Sequence, residues 1–262
     1  MNNKKRMRVE SSDEDDALIT VAQHLFRVAQ QHLAEPHIEV EMRLCRVDGV
    51  PPQRASETFR ILHQGSSRHK VRVGVAAEQF ERMRADITAA AEERRDDATA
   101  APSGARAPLV EHTTTEDVTV GSARYSYRVV GGTDAASAPQ RVPQALLAKR
   151  RLAVADVRLF HRPYDVRLSI SVEEPSPTAA LPPADPPKGY TRHKARTSIT
   201  FPAQHMRYDL TRVRAGRDET YEVELEGVFD DIRAELTEQW VADALQGLVR
   251  LVSPATPTSA DR

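Results

Sequence analysis

Two short stretches of the chain carry glutamate at every second position, a spacing that can gather carboxylates on one side of a strand. Residues 221–226 read Tyr-Glu-Val-Glu-Leu-Glu, and Glu39 and Glu41 repeat the pattern near the other end of the chain. In a β-strand, alternate residues point to the same face. Converging carboxylate oxygens suit a hard divalent cation such as Mg²⁺ or Mn²⁺. An ordinary half-exposed strand shows the same pattern, but two such strands together favour a metal site.

Basic residues with the same spacing occur elsewhere in the chain, where they can balance these acids. Arg192, Lys194 and Arg196 alternate within one predicted strand, and Arg124 and Arg128 share a face of another. The planar guanidinium group of arginine and the ammonium group of lysine both bind phosphate oxygens. Carboxylates and cations sorted by strand therefore indicate a site for a metal-bound chain of phosphates.

Composition limits the class of protein without deciding the partner. The chain has 262 residues, 40% of them hydrophobic, and a formal net charge of −1, so bulk charge argues neither for nor against a polyanion. The single cysteine, Cys45, excludes an internal disulfide framework and suits a reducing compartment. We see no signal peptide and no apolar run near the ~18 residues that a membrane span requires. We therefore expect a soluble intracellular protein with no membrane partner.

The sequence predicts one catalytic domain, residues 17–252, between disordered tails at residues 1–16 and 253–262. Three segments rich in proline, glycine or alanine are predicted to be mobile loops: residues 98–108, 131–143 and 175–189. A basic cluster in the first tail is a candidate nuclear-import signal, which predicts a nuclear location. It consists of Lys4, Lys5, Arg6 and Arg8.

Hydrophobic periodicity predicts an α+β fold. Helical spacing covers residues 17–34, 76–96 and 229–252, whereas most of the remaining sequence alternates between apolar and polar residues. The charges are sorted by sign from strand to strand, and the apolar helices are available to cover the hydrophobic faces. These features predict a closed antiparallel β-barrel of about eight strands with a charged lumen and helices packed outside. Because dry burial of so many ions is costly, we expect the lumen to be wet.

Five motifs, in the same order along the chain, resemble the fungal and protozoan type of metal-dependent mRNA 5′-triphosphatase. These enzymes are triphosphate tunnel metalloenzymes of the CYTH-like superfamily. The motifs are Ile38–Met42, Asp165–Ser169, Arg192–Arg196, Arg207–Thr211 and Tyr221–Glu226. The resemblance implies a closed barrel and hydrolysis of the γ-phosphate at the 5′ end of nascent RNA, which leaves a diphosphate end for capping.

The resemblance also implies roles for individual residues. Ligands of Mg²⁺ or Mn²⁺ would be Glu39, Glu41 and Glu226. Phosphates would be held by Arg128, Lys149, Lys194 and Arg196, with Arg192 nearby. The attacking water would be oriented or deprotonated by Glu173, helped by Glu224. These groups would be braced by Arg207, Asp209, Thr211 and Glu222.

The sequence leaves three alternatives open. The same site chemistry suits an inorganic tripolyphosphatase or a nucleoside triphosphatase, so NTP and tripolyphosphate are possible side substrates. A non-catalytic module that binds polyphosphate or RNA would need the cations but not the full set of acids.

Arg43, in the place where the wider superfamily often has lysine, favours the RNA-triphosphatase branch. A capping guanylyltransferase is a possible partner, although we recognise no docking segment for it, and the choice between Arg124 and Arg128 as phosphate ligand stays open.

Overall fold

The computed structural model describes residues 13–54, 57–63, 69–100, 106–121, 123–131, 139–144, 147–175 and 182–253. The basic cluster at residues 4–8 and most of both predicted tails lie outside these residues. The helices are α1 (Asp13–Gln30), α2 (Ala77–Ala100), α3 (Ile232–Glu235) and α4 (Glu238–Leu251). The strands are β1 (Ile38–Asp48), β2 (Phe59–His63), β3 (Lys70–Val73), β4 (Leu109–Val120), β5 (Ala123–Val130), β6 (Gln140–Pro143), β7 (Leu147–Leu159), β8 (Asp165–Pro175), β9 (Tyr190–Phe201), β10 (Met206–Ala215) and β11 (Asp218–Gly227).

All of these strands belong to one antiparallel sheet of eleven strands. Its order is β2-β7-β8-β1-β11-β10-β9-β4-β5-β6, and β3 pairs with the far half of β1. The two glutamate strands, β1 and β11, are therefore neighbours at the centre of the sheet although they lie at opposite ends of the sequence. The basic strand β9 is two strands away from β11.

The prediction of a closed barrel of about eight strands is wrong. The sheet ends at β2 on one side and at β6 on the other, and among the described residues no ladder joins these two strands. Both are short, with five and four residues. The charge balance does not require closure either, because the acids are paired with cations on the same strand or on strands no more than two positions away in the same sheet.

The two faces of the sheet have opposite character. Ile38, Val40, Met42 and Leu44 of β1 lie on the apolar face, where α1, α2 and α4 pack against the strands. We call the opposite side the charged face. Its central part is formed by alternate residues of neighbouring strands: Glu39, Glu41 and Arg43 of β1, Glu222, Glu224 and Glu226 of β11, Arg207, Asp209 and Thr211 of β10, and Arg192, Lys194 and Arg196 of β9.

The sequence predicted the helical regions well but not every boundary. The first two predicted helices correspond to α1 and α2, whereas the third is divided into α3 and α4. Strand β6 occupies the last four residues of the predicted loop 131–143. Within the described part of the chain, no helix has both the length and the apolar character that crossing a membrane requires.

Candidate active site

The central carboxylates come together through the pairing of β1 with β11. Glu41 lies directly opposite Glu226, and Arg43 lies directly opposite Glu224. Like charges at opposite positions of a ladder repel one another. Arg43 offsets this repulsion, since its guanidinium group contacts Glu41 and lies 3.0 Å from Glu224. The two glutamate motifs therefore form a single acidic cluster bridged by one arginine.

Lys149 of β7 is a cation shared by three acids of the charged face. Its Nζ lies 2.5 Å from Glu39 and 3.2 Å from Glu41, and 3.6 Å from Glu173 of β8. Ser171 donates a hydrogen bond of 3.0 Å to Glu39 and fixes that carboxylate from the other side. The prediction placed Lys149 on the phosphates; in the structure it lies among the predicted metal ligands and beside Glu173.

Two arginines connect the acidic cluster to the next strands. Arg207 contacts Glu226 and lies 3.2 Å from Asp209, a buried carboxylate that also lies 3.3 Å from Arg196. Thr211 is buried one position further along β10, directly opposite Arg196 on one side and Glu222 on the other. The four residues predicted to brace the site thus lie together beside it.

The acidic cluster has more negative charge than its cations neutralise. Burial raises the pKa of Glu226 to about 7, and the carboxylates of Glu39, Asp209 and Glu41 add to the rise while Arg207 opposes it. The pKa of Glu224 is also raised, first by burial and then by Glu41. A buried carboxylate whose neighbours are mainly carboxylates favours its neutral form. A bound divalent cation would reverse this preference.

The basic residues of β9 follow one another along the charged face, each with an acidic partner. Arg196 contacts Asp209, and the Nζ of Lys194 lies 2.6 Å from Asp117 of β4. Arg192 lies 3.7 Å from Glu222 and is more than one-third exposed. The row runs from the acidic cluster toward the start of the strand, and the middle cation, Lys194, is the most closely paired and the most buried of the three.

The register also separates the two candidate arginines of β5. Arg128 lies opposite Thr115, which is itself opposite Lys194, so the register places Arg128 two strands from Lys194 on the charged face. Arg128 is exposed and forms no ion pair with a described residue. Arg124 instead lies 3.6 Å from Asp117. Arg128 therefore has its guanidinium group available for a ligand.

Sequence reasoning missed Asp117 as part of the site. It is buried, accepts a hydrogen bond of 2.7 Å from Ser126 and pairs with Lys194. Nearby cations and hydrogen bonds hold its pKa below the ordinary value although burial opposes this. Its only signal in the sequence was alternation in residues 113–117. The sequence does not show that β4 pairs with β9, because these segments are far apart in it.

A second ionic cluster on the same face was also missed. Arg167 donates two hydrogen bonds to the buried Asp156, and His69 lies 2.8 Å from the same carboxylate. Asp165 accepts hydrogen bonds from the backbone N–H groups of Val47 and Leu159. These partners account for the carboxylate oxygens of Asp156 and Asp165, so the cluster stabilises the sheet beyond the site.

The predicted metal ligands fit a hard cation in chemistry, although the described side chains are not arranged as a coordination shell. No group of three His, Cys, Asp or Glu side chains in the described ranges is positioned to hold a metal ion. Lys149, Arg43 and Arg207 contact these carboxylates instead. An ammonium group in contact with both Glu39 and Glu41 marks a place where positive charge is favourable. The oxygen-only donor set is the kind that Mg²⁺ and Mn²⁺ prefer.

Comparison with known families finds a match for the second half of the chain, which contains most of the site. Residues 124–252 match the family described as "mRNA capping enzyme, beta chain", the mRNA triphosphatase family. This part of the chain, just under half of it, is similar to the mRNA triphosphatase family. The match runs from β5 to β11, so it covers the whole basic row and the glutamates of β11. Triphosphatases of the tunnel type are metal-dependent in general, in agreement with the acidic cluster.

Two solved structures of one fungal enzyme have the same fold as this chain over most of its length. The S. pombe Pct1 RNA triphosphatase in complex with the Spt5 CTD is 20% identical, with a TM-score of 0.65 over 92% of this chain and 95% of that chain. The structure of Pct1 without that partner gives 19% identity and a TM-score of 0.65 over 92% and 94% of the two chains. No curated protein matches the sequence significantly.

Proposed function

We propose that this chain is an mRNA-capping RNA 5′-triphosphatase, which hydrolyses the γ-phosphate of 5′-triphosphate RNA and leaves a 5′-diphosphate end. The observation that carries the proposal is the position of the mRNA triphosphatase domain in the fold. Together with β1, its strands bring a cluster of carboxylates next to a row of cations on one face of the sheet. Phosphoryl transfer requires mainly this combination of positioning and neutralised charge.

Glu39, Glu41 and Glu226 are the residues that would hold Mg²⁺ or Mn²⁺. The fit rests on their oxygen donors and on the anionic excess that raises the pKa of Glu226. When bound, the metal supplies neutralisation of the charge on the γ-phosphate oxygens and a site for the attacking water. Lys149 could then pair with Glu173 in place of the metal-binding carboxylates, because its Nζ lies near both.

The cations of β9 would hold the three phosphates in sequence. Arg196 is nearest to the carboxylates and is assigned to the γ-phosphate end. Lys194 and then Arg192 follow toward the start of the strand, and Arg128 approaches from β5. Arginine and lysine bind phosphate by charge-assisted hydrogen bonds, which the ion pairs of the free protein would exchange for the substrate.

Glu173, helped by Glu224, would orient or deprotonate the water that attacks the γ-phosphorus in line with the leaving oxygen. Burial raises the pKa of Glu224 to about 7, so this carboxyl can take up or release a proton near neutral pH. Arg207, Asp209, Thr211 and Glu222 would brace these groups through the contacts between β10 and β11. Direct attack by water needs no covalent intermediate on the protein.

The diphosphate product is the substrate type on which a capping guanylyltransferase acts, so the proposal places this chain before that step. A direct complex with such an enzyme and a nuclear location remain predictions from the sequence. The same face could also hydrolyse NTP or inorganic tripolyphosphate, or bind polyphosphate without hydrolysis. These alternatives differ from the proposal in the products they release.

The deciding experiment follows phosphate released from RNA labelled at the γ-position, with Mg²⁺ or Mn²⁺ present. The proposal predicts release of the labelled phosphate and an RNA that keeps its β-phosphate. Glu173→Gln should reduce the rate by at least roughly 100-fold, since general-base catalysis contributes about that much or more. Its neighbour on the opposite face, Glu174, provides the control variant Glu174→Gln. Tight RNA binding without release would favour the binding module, and faster release from tripolyphosphate would favour the alternative enzyme.

A further inference from the structure

The start of β9 carries an aromatic side chain that the fold leaves exposed. Tyr190 is 62% exposed, the highest value among the exposed large hydrophobic side chains of the described residues. A tyrosine ring buried in a core or interface removes a large apolar area from water. Here the ring faces solvent at the first residue of the strand that also carries the basic row.

Tyr190 is in line with the cations that we assign to the phosphates. Residues 190, 192, 194 and 196 alternate along β9, so the tyrosine shares the charged face with Arg192, Lys194 and Arg196. The ladder confirms this placement, because Tyr190 pairs with Thr119 and Arg192 pairs with Asp117. At ~3.3–3.4 Å per residue, Tyr190 lies about 20 Å along the strand from Arg196.

This order gives the site a direction. The other end of β9 is nearest to the acidic cluster, since Thr200 pairs with Arg207 and Arg207 pairs with Glu226. Moving along the charged face from Glu226 toward Tyr190, one passes the metal-binding carboxylates, then the three cations, then the aromatic ring. A substrate with its γ-phosphate at the carboxylates would extend its first nucleoside toward Tyr190.

We infer that Tyr190 is a stacking platform for the base of the first nucleotide of the substrate. The inference rests on the proposed function and specifies which substrate the site selects. Aromatic side chains stack on any base, because every base has a π-face, and this gives affinity without sequence preference. Tyr190 would therefore favour a nucleotide-bearing triphosphate over inorganic tripolyphosphate, with little preference among the four bases.

The backbone beneath the ring is held firmly in place. A Cβ atom built on Gly189 would lie 2.4 Å from the carbonyl oxygen of Thr119, so glycine is needed for the close approach of β9 to β4. Arg124, opposite Thr119 on the next strand, is 60% exposed and brings a further cation to this end of the face. An exposed aromatic ring beside an exposed cation suits a base followed by its sugar and phosphate.

The test compares Tyr190→Ala with wild type on triphosphate-ended RNA and on ATP, with inorganic tripolyphosphate as a competitive inhibitor. We expect KM for both nucleotide substrates to rise about ten-fold, as for loss of one stacking contact. kcat should change little, because the base lies far from the reacting phosphorus. The inhibition constant of tripolyphosphate should stay the same. Tyr190→Phe should keep the wild-type KM, and Val120→Ala, an exposed neighbour on the opposite face, is the control.

A substrate-side experiment makes the assignment specific to the base. The wild type should bind a triphosphate RNA whose first nucleotide lacks its base about ten-fold more weakly than normal RNA. Tyr190→Ala should bind the two RNAs equally well. An unchanged KM in Tyr190→Ala, or a parallel rise in the inhibition constant of tripolyphosphate, would overturn the inference. If the proposed function were wrong, the wild type would release no phosphate. The Kd values of the RNAs with and without the first base would then still measure stacking.

Discussion

At the scale of single residues, the site is a set of carboxylates whose charge is only partly balanced. Arg43, Lys149 and Arg207 each contact two or more acids, yet Glu226 keeps a pKa of about 7. The imbalance has a physical cause, namely that β1 and β11 place Glu41 and Glu226 directly opposite each other. The protein tolerates this repulsion at the place where we assign a metal.

The raised pKa of Glu226 predicts how the stability of the metal-free protein depends on pH. The folded protein holds a proton on this carboxyl up to about pH 7, whereas the unfolded chain releases it near the ordinary value of 4.5. The free energy of unfolding should therefore decrease as pH rises from about 4.5 to about 7, by on the order of 2 kcal/mol. Urea unfolding in a chelating buffer measures it.

Glu226→Gln is the matched variant for this pH series, because glutamine has the same shape and no proton to release. Its stability should fall less over the same pH interval. Glu219→Gln, on the opposite face of β11, should behave as wild type. A wild-type stability that increases between these pH values would contradict the charge imbalance.

Lys194 gives a second prediction at the residue scale. Asp117 is 3% exposed and its nearest cation is Lys194, at 2.6 Å. Lys194→Ala leaves a buried carboxylate with only the more distant Arg124, so we expect a loss of about 3 kcal/mol in the free energy of unfolding. Lys194→Arg should recover most of it. Equal stabilities of the alanine variant and the wild type would show that Asp117 does not need this partner.

At the scale of elements, the sheet converts alternation in sequence into an ordered row of cations on one face. Strand β9 presents cations at three successive positions of one face, and their acidic partners come from β4, β10 and β11. A bulge in β7, at the register shift between Arg151 and Ala153, changes which residues point to that face. Lys149 before the bulge and Asp156 after it therefore share the charged face despite the odd spacing between them.

The order along β9 predicts unequal effects of two substitutions. Arg196→Ala should lower kcat/KM for triphosphate RNA more than Arg192→Ala does, since Arg196 is nearest to the acidic cluster and Arg192 lies at the edge of the phosphate site. From the strength of charge-assisted hydrogen bonds, we expect Arg196→Ala to lose roughly 100-fold. His193→Ala, on the other face of the same strand, is the control. Equal losses in the two arginine variants would contradict this order along the strand.

At the scale of the whole molecule, the sequence contains most of the local information but little of the long-range pairing. Strict alternation in residues 38–44 and 221–226 was enough to predict two charged faces, and the order of five motifs was enough to identify the family. The closure of the sheet was mispredicted, because nothing in β2 or β6 specifies whether an edge strand finds a partner. Asp117 was missed for the related reason that its partner, Lys194, is distant in sequence.

Assembly of the site depends on pairing between the two ends of the chain. Strand β1 contributes Glu39 and Glu41, whereas Glu226 comes from β11, and the three carboxylates become neighbours only in the folded sheet. The family match begins at residue 124, so β1 lies outside it. The central claim of the account is therefore that carboxylates from both ends of the chain act as one metal site.

The most direct test is a Mn²⁺ titration of γ-phosphate release from triphosphate RNA by wild type, Glu41→Gln, Glu226→Gln and the control Glu219→Gln. We predict saturable, metal-dependent release by wild type and by Glu219→Gln, and loss of at least roughly 100-fold in the other two variants. Circular dichroism should show that all four proteins are folded. Release that needs no metal, or full activity in either Glu41→Gln or Glu226→Gln, would contradict the account.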